Sequence, residues 1–233
     1  MVHPAFSGRA ALQDFPAVGY LDSALAFRSA GEANYEDIGF PTKAEIDRTL
    51  KLLTELKRAG HWRALWGPFT ESVNLMASGE VVIQSMWSQA VAAIKDLGIP
   101  AQAAELDEGY RSWGLGLMIM SHVGGLKLEA AYDYLNWHYS GWPGAFFSRM
   151  GYYSALPLAA RAFLEQHEWD YWYDGKAAPA EIKDPFGNVH DKPGARRDGG
   201  SFRNRLGNVT AYNTVFHPNA EHLASKWREF RRA

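Results

Sequence analysis

The sequence predicts an α/β fold with a mostly parallel sheet, and three observations support that class. The chain has 233 residues, which suffices for one large domain or two small lobes. Hydrophobic residues make up 47% of the chain and charged residues 21%, so we expect a packed core rather than disorder. Apolar runs typical of buried strands alternate with helical patterns, as they do in parallel sheets covered by helices.

The first part of the chain predicts one strand and two helices. Residues 8–14 form a short apolar run that favours a buried strand, and residues 18–30 have the small and apolar side chains of a helix. Thr42 and Glu45 have the spacing of a capping box, which predicts the start of a second helix that Gly60 ends. The predicted core-facing residues of that helix are Ile46, Leu50, Leu53 and Leu56.

A helix, a strand and another helix are predicted next. Residues 69–77 favour a short helix. Residues 80–87 are an apolar, β-branched run, which favours a buried strand. Residues 88–97 predict the following helix, because Gly98 and Pro100 end it. This order is typical of strands that pair in parallel through helical crossovers.

The second half of the chain is less regular. Residues 113–121 are apolar with two glycines and predict a second strand, and residues 128–139 and 157–166 predict helices. Residues 174–207 are rich in Gly, Pro, Asp and Arg and predict a long surface loop. Residues 221–232 predict an amphipathic helix whose inward-facing residues are Leu223, Trp227 and Phe230.

Charge and composition argue against several kinds of partner. The formal net charge is −2, so no basic surface is expected to hold a nucleic acid. The chain has no cysteine, which excludes disulfides and thiolate zinc sites. Residues 1–9 lack the long apolar run of a signal peptide, and no stretch of about 18 apolar residues predicts a membrane span.

The sequence shows no motif of a known catalytic or metal centre. It has no G-x-S-x-G, no Walker loop and no G-x-G-x-x-G after a strand. Its 8 histidines show no pair at the i, i+4 spacing with the glutamate of zinc proteases. Residues 184–188 form an Asp-Pro and Gly-Asn pattern, which we interpret as a turn rather than a cation site. We therefore expect no catalytic residue, no metal ligand and no cofactor.

Four stretches of the chain resemble one family in their order and spacing. They read GRAALQDFPAVGYLDSALAF (8–27), SGEVVIQSMWSQAV (78–91), YRSWGLGLMIMSHV (110–123) and RMGYYSALPLAAR (149–161). Together they are similar to the C-terminal two-thirds of spermidine/putrescine-type solute-binding proteins of bacterial ABC importers. The similarity covers most of residues 4–165, and its specificity lies in the succession of the four stretches.

The resemblance implies a periplasmic-binding-protein-like fold of two α/β lobes, with the first lobe truncated at its N-terminus. Residues 1–112 would form the second lobe, 113–160 a partial first-lobe segment, and 161–233 a C-terminal loop and helix that pack back on the lobes. A truncated sheet would expose the strand at 114–121 and favour self-association. The implied partners are a small-molecule solute and an ABC permease of the inner membrane, and the implied location is periplasmic.

The resemblance also implies a ligand cleft between the lobes that is lined by aromatic side chains. Trp87, Trp113 and Tyr152 match ring positions of the family, and such rings suit a ligand with an apolar stem or a cationic end. The chain has 9 Trp and 14% aromatic residues, so filling of the core is the alternative interpretation of the same rings. The complete set of predicted ligand-binding residues is Trp87, Trp113, Tyr152, Asp14, Phe15 and Ser85.

Three positions depart from the polyamine-binding pattern. Where that family places carboxylates against ammonium groups, this chain has Phe15, Val18 and Leu115. Asp14 is one residue away, and a one-residue offset along a strand turns a side chain to the other face. A simple linear polyamine is therefore not the expected ligand. Two alternatives stay open at this point: an enzyme with an aromatic cleft acting on a small molecule or sugar, and a fragment without independent activity.

Overall fold

A computed structural model of the chain describes residues 1–214 and 217–233. The described residues form two compact units: the first unit comprises Met1–Trp113 and Asn208–Ala233, and the second unit comprises Gly114–Gly207. The helices are α1 (Pro16–Ser29), α2 (Lys43–Arg58), α3 (Phe69–Ala77), α4 (Ser88–Asp96), α5 (Leu126–His138), α6 (Trp142–Arg149), α7 (Pro157–Arg161), α8 (Gln166–Trp172), α9 (Phe202–Gly207) and α10 (Ala220–Arg232). The strands are β1 (Ala10–Gln13), β2 (Trp62–Trp66), β3 (Ile83–Gln84), β4 (Tyr110–Ser112), β5 (Ile182–Lys183), β6 (Val189–Asp191) and β7 (Val209–Tyr212).

A parallel three-stranded sheet organises the first unit. Its strand order is β2-β1-β3, so β1 lies in the middle. Ala11 lies opposite Ala64 of β2 on one side and opposite Gln84 of β3 on the other. All four residues of β1 are buried, as expected for a central strand of a parallel sheet. The predicted α/β class with parallel strands is confirmed.

Helix α1 packs closely against helix α10 in the core of the first unit. Gly19 makes this approach possible, because a Cβ atom there would clash with the ring of Trp227. Trp227 is 1% exposed, and its ring meets Phe230 edge-on with centroids 5.1 Å apart. The prediction that Leu223, Trp227 and Phe230 face inward is confirmed.

The start of α2 carries the predicted capping box. The Glu45 N–H donates to Thr42 Oγ1 over 3.2 Å, and the Thr42 N–H donates to Glu45 Oε2 over 2.7 Å. Burial acts to raise the pKa of Glu45, but hydrogen bonds from Thr42 and Glu36 outweigh it and the pKa is lowered. Ile46, Leu50 and Leu53 are buried and Leu56 packs against the same core, as the helical spacing predicts.

An aromatic core holds the second unit together. Trp169, Tyr171, Trp172 and Tyr173 are all buried, and the rings of Trp169 and Tyr173 stack with centroids 4.2 Å apart. Arg149 at the end of α6 donates through Nε to Glu168 Oε1 over 2.5 Å and through Nη2 to Oε2 over 2.7 Å. The carboxylate beside it raises the pKa of Arg149. This ion pair joins α6 to α8.

The prediction of one long surface loop over residues 174–207 is wrong. Strands β5 and β6 form an antiparallel pair within the segment, and α9 follows them. Ile182 is fully buried, and Arg197 is 7% exposed with its guanidinium 4.5 Å from the Tyr153 ring and 5.1 Å from the Trp172 ring. The turn-rich composition predicts the bends correctly but gives no sign that an arginine is held between two core rings.

The prediction of a strand over residues 113–121 is also wrong. Strand β4 ends at Ser112, where it pairs in parallel with β7, and residues 114–121 are neither helix nor strand. Leu115 and Met118 are 89% and 90% exposed. An apolar run becomes a strand only where a partner strand satisfies its backbone groups, and within residues 1–214 and 217–233 this segment forms no such ladder. The expected edge strand at 114–121 is therefore an exposed irregular segment instead.

Two further elements are shorter than the sequence predicts. The strand predicted over 80–87 is reduced to the two residues of β3, and residues 85–87 leave the sheet before α4 begins. The helix predicted over 157–166 divides into α7, which ends at Arg161, and α8, which begins at Gln166. The helices predicted over 69–77, 88–97 and 128–139 are present as α3, α4 and α5.

The two compact units divide the chain differently from the partition that the resemblance implies. A unit boundary follows Trp113, next to the predicted boundary between residues 112 and 113. Residues 161–207, however, cluster with 114–160, and only the segment from Asn208 onward packs with the first unit. The assignment of these units to lobes of a binding protein stays a prediction.

Candidate ligand-binding site

The carboxyl ends of the three parallel strands in the first unit form the candidate site. Strands β2 and β3 pair in parallel with opposite edges of β1, so the carboxyl ends of the three strands lie at one edge of the sheet. Ligands of open α/β sheets bind in the crevice outside the carboxyl ends of the strands. The residues at this crevice, which we call the strand-end crevice, are Asp14, Phe15, Trp66, Ser85 and Trp87. Four of these five belong to the predicted ligand-binding set.

Two aromatic residues stand at the points where the outgoing chain enters a helix. Phe15 is the N-cap of α1 and Trp87 is the N-cap of α4. Neither helix start receives a side-chain cap, so neither macrodipole is neutralised by a capping group. The side chain of Phe15 is 50% exposed. An exposed phenylalanine next to two helix N-termini offers apolar contact and positive potential at the same crevice.

Trp87 is shared between the crevice and the core. Its ring meets the fully buried ring of Trp66 edge-on, with centroids 5.6 Å apart. Trp66 in turn donates its Nε1–H to the backbone oxygen of Ser85 over 3.1 Å. Trp87 is half-buried and packs against the small core around Ala11. Trp87 therefore fills part of the core, and its role in ligand binding stays a prediction.

Asp14 is held by helix α10. Its Oδ1 accepts a hydrogen bond from Trp227 Nε1 over 2.8 Å, and its Oδ2 forms an ion pair with Arg231 Nε over 3.0 Å. Both oxygens of this carboxylate thus have protein partners. The one-residue offset between Asp14 and Phe15 places the acid against α10 and the ring in solvent, as strand alternation predicts.

A polar triad that the sequence did not reveal lies beside the crevice. Ser85 donates its Oγ–H to Asp22 Oδ2, and Arg111 donates its Nε–H to Asp22 Oδ1 over 2.7 Å. The side chains of Arg111 and Asp22 are only 15% and 14% exposed. The signal in the sequence was Asp22 itself, an acid in the middle of the apolar helix α1, because a carboxylate at such a position needs a partner.

The remaining two predicted residues lie elsewhere in the chain. Trp113 follows β4 in the first unit and is 42% exposed. Tyr152 belongs to the second unit, where its N–H donates to the backbone oxygen of Phe147 over 3.0 Å. A role for Trp113 and Tyr152 beside Trp87 stays a prediction.

The strand-end crevice is an open surface of the first unit. Two surface hollows lie at other residues, one at Lys95 and residues 98–102 and one at Pro68, Asn74 and Glu80, and neither is lined by a predicted ligand-binding residue. Within residues 1–214 and 217–233, no three His, Cys, Asp or Glu side chains are grouped to hold a metal ion. Across the same described ranges, no helix has both the length and the apolar character to cross a membrane.

The first unit is thus an α/β unit with aromatic side chains and an ion pair near the carboxyl ends of its parallel strands. The chain belongs to the bacterial extracellular solute-binding proteins, because the pattern of that family matches residues 1–165. No curated protein matches the chain. Membership supports an extracellular substrate-binding role in a transport system, with a small-molecule ligand and a transporter as the general partners. The family is generally non-enzymatic and is extracellular or periplasmic.

Proposed function

We propose that this chain is the substrate-binding component of an ABC importer and captures a small solute at the strand-end crevice. The family supplies the general role, and the crevice is the observation that supports its location in this chain. An exposed Phe15, a half-buried Trp87 and two uncapped helix starts converge there. The proposed partner is an ABC permease of the inner membrane, and the proposed location is the periplasm.

The chemistry of the crevice favours a solute other than a simple linear polyamine. Of the three positions that depart from the polyamine pattern, Phe15 and Leu115 are exposed and Val18 is buried in α1. The nearby carboxylates of Asp14 and Asp22 already pair with Arg231 and Arg111. An ammonium group would lose hydration there without gaining a counter-charge, and a cation–π contact returns only about 0.5–2 kcal/mol.

A second wall would strengthen binding to this open crevice. The first unit alone presents rings and helix starts from one side, and solute-binding folds bury their ligand by closing two walls around it. We propose that Trp113 and Tyr152 also contribute to ligand binding. We expect Trp87 to give the larger loss on truncation, because it is anchored to Trp66 and needs no ordering.

A thermal-shift screen of the whole chain tests this proposal. Polyamines, amino acids, small carboxylates, sugars and heterocycles are added one by one, because a ligand at a hundred times its Kd stabilises the fold by about 2.7 kcal/mol. The solute that gives the largest shift is then titrated into the Trp87→Ala variant. The control is Trp137→Ala, because Trp137 is a tryptophan on α5 in the second unit. We expect only Trp87→Ala to abolish the shift. The proposal is wrong if no solute class stabilises the chain, and its exclusion of polyamines is wrong if putrescine or spermidine gives the largest shift.

A further inference from the structure

The guanidinium of Arg111 is held beside the strand-end crevice by an ion pair with Asp22. Its Nε donates to Asp22 Oδ1 over 2.7 Å, and Asp22 Oδ2 accepts from Ser85, which directly follows β3. Ser85 is also the residue whose backbone oxygen receives the Trp66 indole N–H. The orientation of Arg111 is therefore fixed through Asp22 to the same strand end that carries Trp87.

This arrangement leaves the forked end of the guanidinium available. An arginine side chain has five N–H groups, and the bond to Asp22 uses the one on Nε. Within residues 1–214 and 217–233, the two Nη atoms of Arg111 have no acceptor, while the side chain keeps 15% exposure. Two parallel N–H groups in one plane match the two oxygens of a carboxylate.

The electrostatics of the surroundings favour an anion over a neutral acceptor. Arg111 and Asp22 together carry no net charge, but the crevice also receives the N-termini of α1 and α4, neither of which has a side-chain cap. Each helix start carries partial positive charge. The 50% exposed ring of Phe15 and the half-buried ring of Trp87 add an apolar wall next to that positive potential.

We infer that the solute of this site carries a carboxylate on an apolar or aromatic body, and that Arg111 recognises the carboxylate through its two Nη groups. This inference rests on the proposed solute-binding function and narrows it to a chemical class. Asp22 and Ser85 are positioning residues that hold the guanidinium in place. Phe15 and Trp87 contact the apolar body of the solute.

Benzoate and benzamide are matched probes for this inference, because they share a ring and differ in charge. Each is titrated into the whole chain at constant ionic strength, with binding followed by the Nε–Hε signal of Arg111 in a nitrogen-15 NMR spectrum. We expect benzoate to shift that signal saturably and to bind about tenfold more tightly than benzamide, since a charge-assisted bidentate contact replaces a neutral one. The Arg111 signal is identified as the one that is missing from the spectrum of the Arg111→Lys variant.

Arg111→Gln and a surface control separate recognition from stability. We expect Arg111→Gln to weaken benzoate binding about tenfold and to leave benzamide unchanged. Arg63→Gln is the matched control, because Arg63 also lies in the first unit and its pair with Glu80 is 52% and 44% exposed. If Arg111→Gln does not fold, the Arg111 signal in the unsubstituted chain decides the question alone.

The outcomes distinguish this inference from the proposed function. Equal affinity for the two probes, or a benzoate affinity that Arg111→Gln changes by less than about twofold, overturns the carboxylate assignment. The assignment is also overturned if an amine or a sugar binds in a Trp87-dependent manner while benzoate does not, and the solute-binding function then still stands. If no solute of any class binds, both proposals fail together.

Discussion

Helices α1 and α5 have nearly the same length, but most of α1 is buried and α5 is exposed to solvent. In α1 of the first unit, nine residues are buried, among them Tyr20, Leu21 and Phe27. In α5 of the second unit, all of whose residues the structure describes, none is buried. The side chains of Tyr134 and Trp137 on α5 are 54% and 48% exposed. Apolar composition therefore does not decide burial in this chain, and the presence of a closely fitting partner does.

The fit of α1 depends on small residues at its contacts. Gly19 admits the Trp227 ring, and Ala24 is fully buried, so the backbone of α1 approaches its neighbours closely. Helix α5 presents large aromatic side chains to solvent instead, and the contiguous apolar surface that results is unusual for a chain in isolation. Four predictions test whether packing differs between the two regions as this comparison requires.

Truncation of Trp227 should have the largest effect. Trp227→Ala removes a side chain that is 1% exposed and leaves Asp14 Oδ1 without its donor, so we expect a loss of about 3–5 kcal/mol in the free energy of unfolding. Trp137→Ala on α5 should cost no more than about 1 kcal/mol. Urea unfolding of both variants measures the difference. Equal losses would show that α5 is packed as tightly as α10.

Filling the contact at Gly19 should have the next largest effect. An added Cβ would lie 2.6 Å from the backbone oxygen of Gln13 and would clash with Trp227. Alanine favours helix by about 1 kcal/mol over glycine, yet we expect Gly19→Ala to destabilise the fold by about 1–3 kcal/mol.

The control for that substitution is Gly116→Ala in the exposed segment, where an added Cβ meets no atom within 4 Å. Its effect should stay within about 0.5 kcal/mol in the same urea titration. A neutral Gly19→Ala would mean that α1 and α10 are not in close contact in solution.

The third prediction concerns the ion pair between Arg149 and Glu168 in the second unit, which should contribute to its stability. Arg149→Met leaves Glu168, whose side chain is 8% exposed, without its cation. Breaking a fully buried ion pair costs about 3–5 kcal/mol of stability. Because Arg149 is 26% exposed, we expect a smaller loss of about 2 kcal/mol in the free energy of unfolding. Arg63→Met at the exposed pair should cost less than about 1 kcal/mol. Glu168→Gln removes the charge but keeps an acceptor for the Glu165 N–H at the start of α8. Recovery of stability in the double variant Arg149→Met, Glu168→Gln would support the cause, and a further loss would contradict it.

The pH dependence of His217 should give the smallest effect. Burial lowers the pKa of this imidazole from 6.5, because desolvation disfavours its charged form. Stability is therefore complete above about pH 6.5 and decreases as the pH falls below it, where the unfolded chain binds the proton first. His217→Gln should flatten the stability profile between about pH 7 and pH 5. An unchanged slope in His217→Gln would show that His217 is not its source.

The sequence predicted best those elements whose signals are local. The Thr42 and Glu45 capping box, the apolar face of α2 and the inward residues of α10 depend on spacing within one helix, and all are present. The strand at 113–121 failed because a strand needs a partner, which no local pattern reveals. The segment at 174–207 failed for the same reason, since Arg197 finds its two rings, Trp172 and Tyr153, in segments that come well before it in the chain.

Within the candidate site, the positions of the rings along the chain were easier to predict than the pairing of the charges. Phe15 follows β1 and Trp87 follows β3, and each is the N-cap of the next helix, but their role in ligand binding stays a prediction. The pairing of Asp22 with Arg111 joins residues 89 positions apart, and Trp227, which donates to Asp14, is 213 positions away from it. Such pairs depend on the tertiary arrangement, so the sequence identifies the need for a partner without identifying the partner.

Hydrogen–deuterium exchange with and without the best solute of the thermal-shift screen tests the central claim most directly. If the strand-end crevice of the first unit is the binding site, the backbone amides of Asp14, Phe15 and residues 17–19 and 85–91 should exchange more slowly with solute bound, because these segments lead into the starts of α1 and α4. Trp87→Ala should abolish that protection. Protection confined to α5 and α6 in the second unit, with none at the starts of α1 and α4, would contradict the claim.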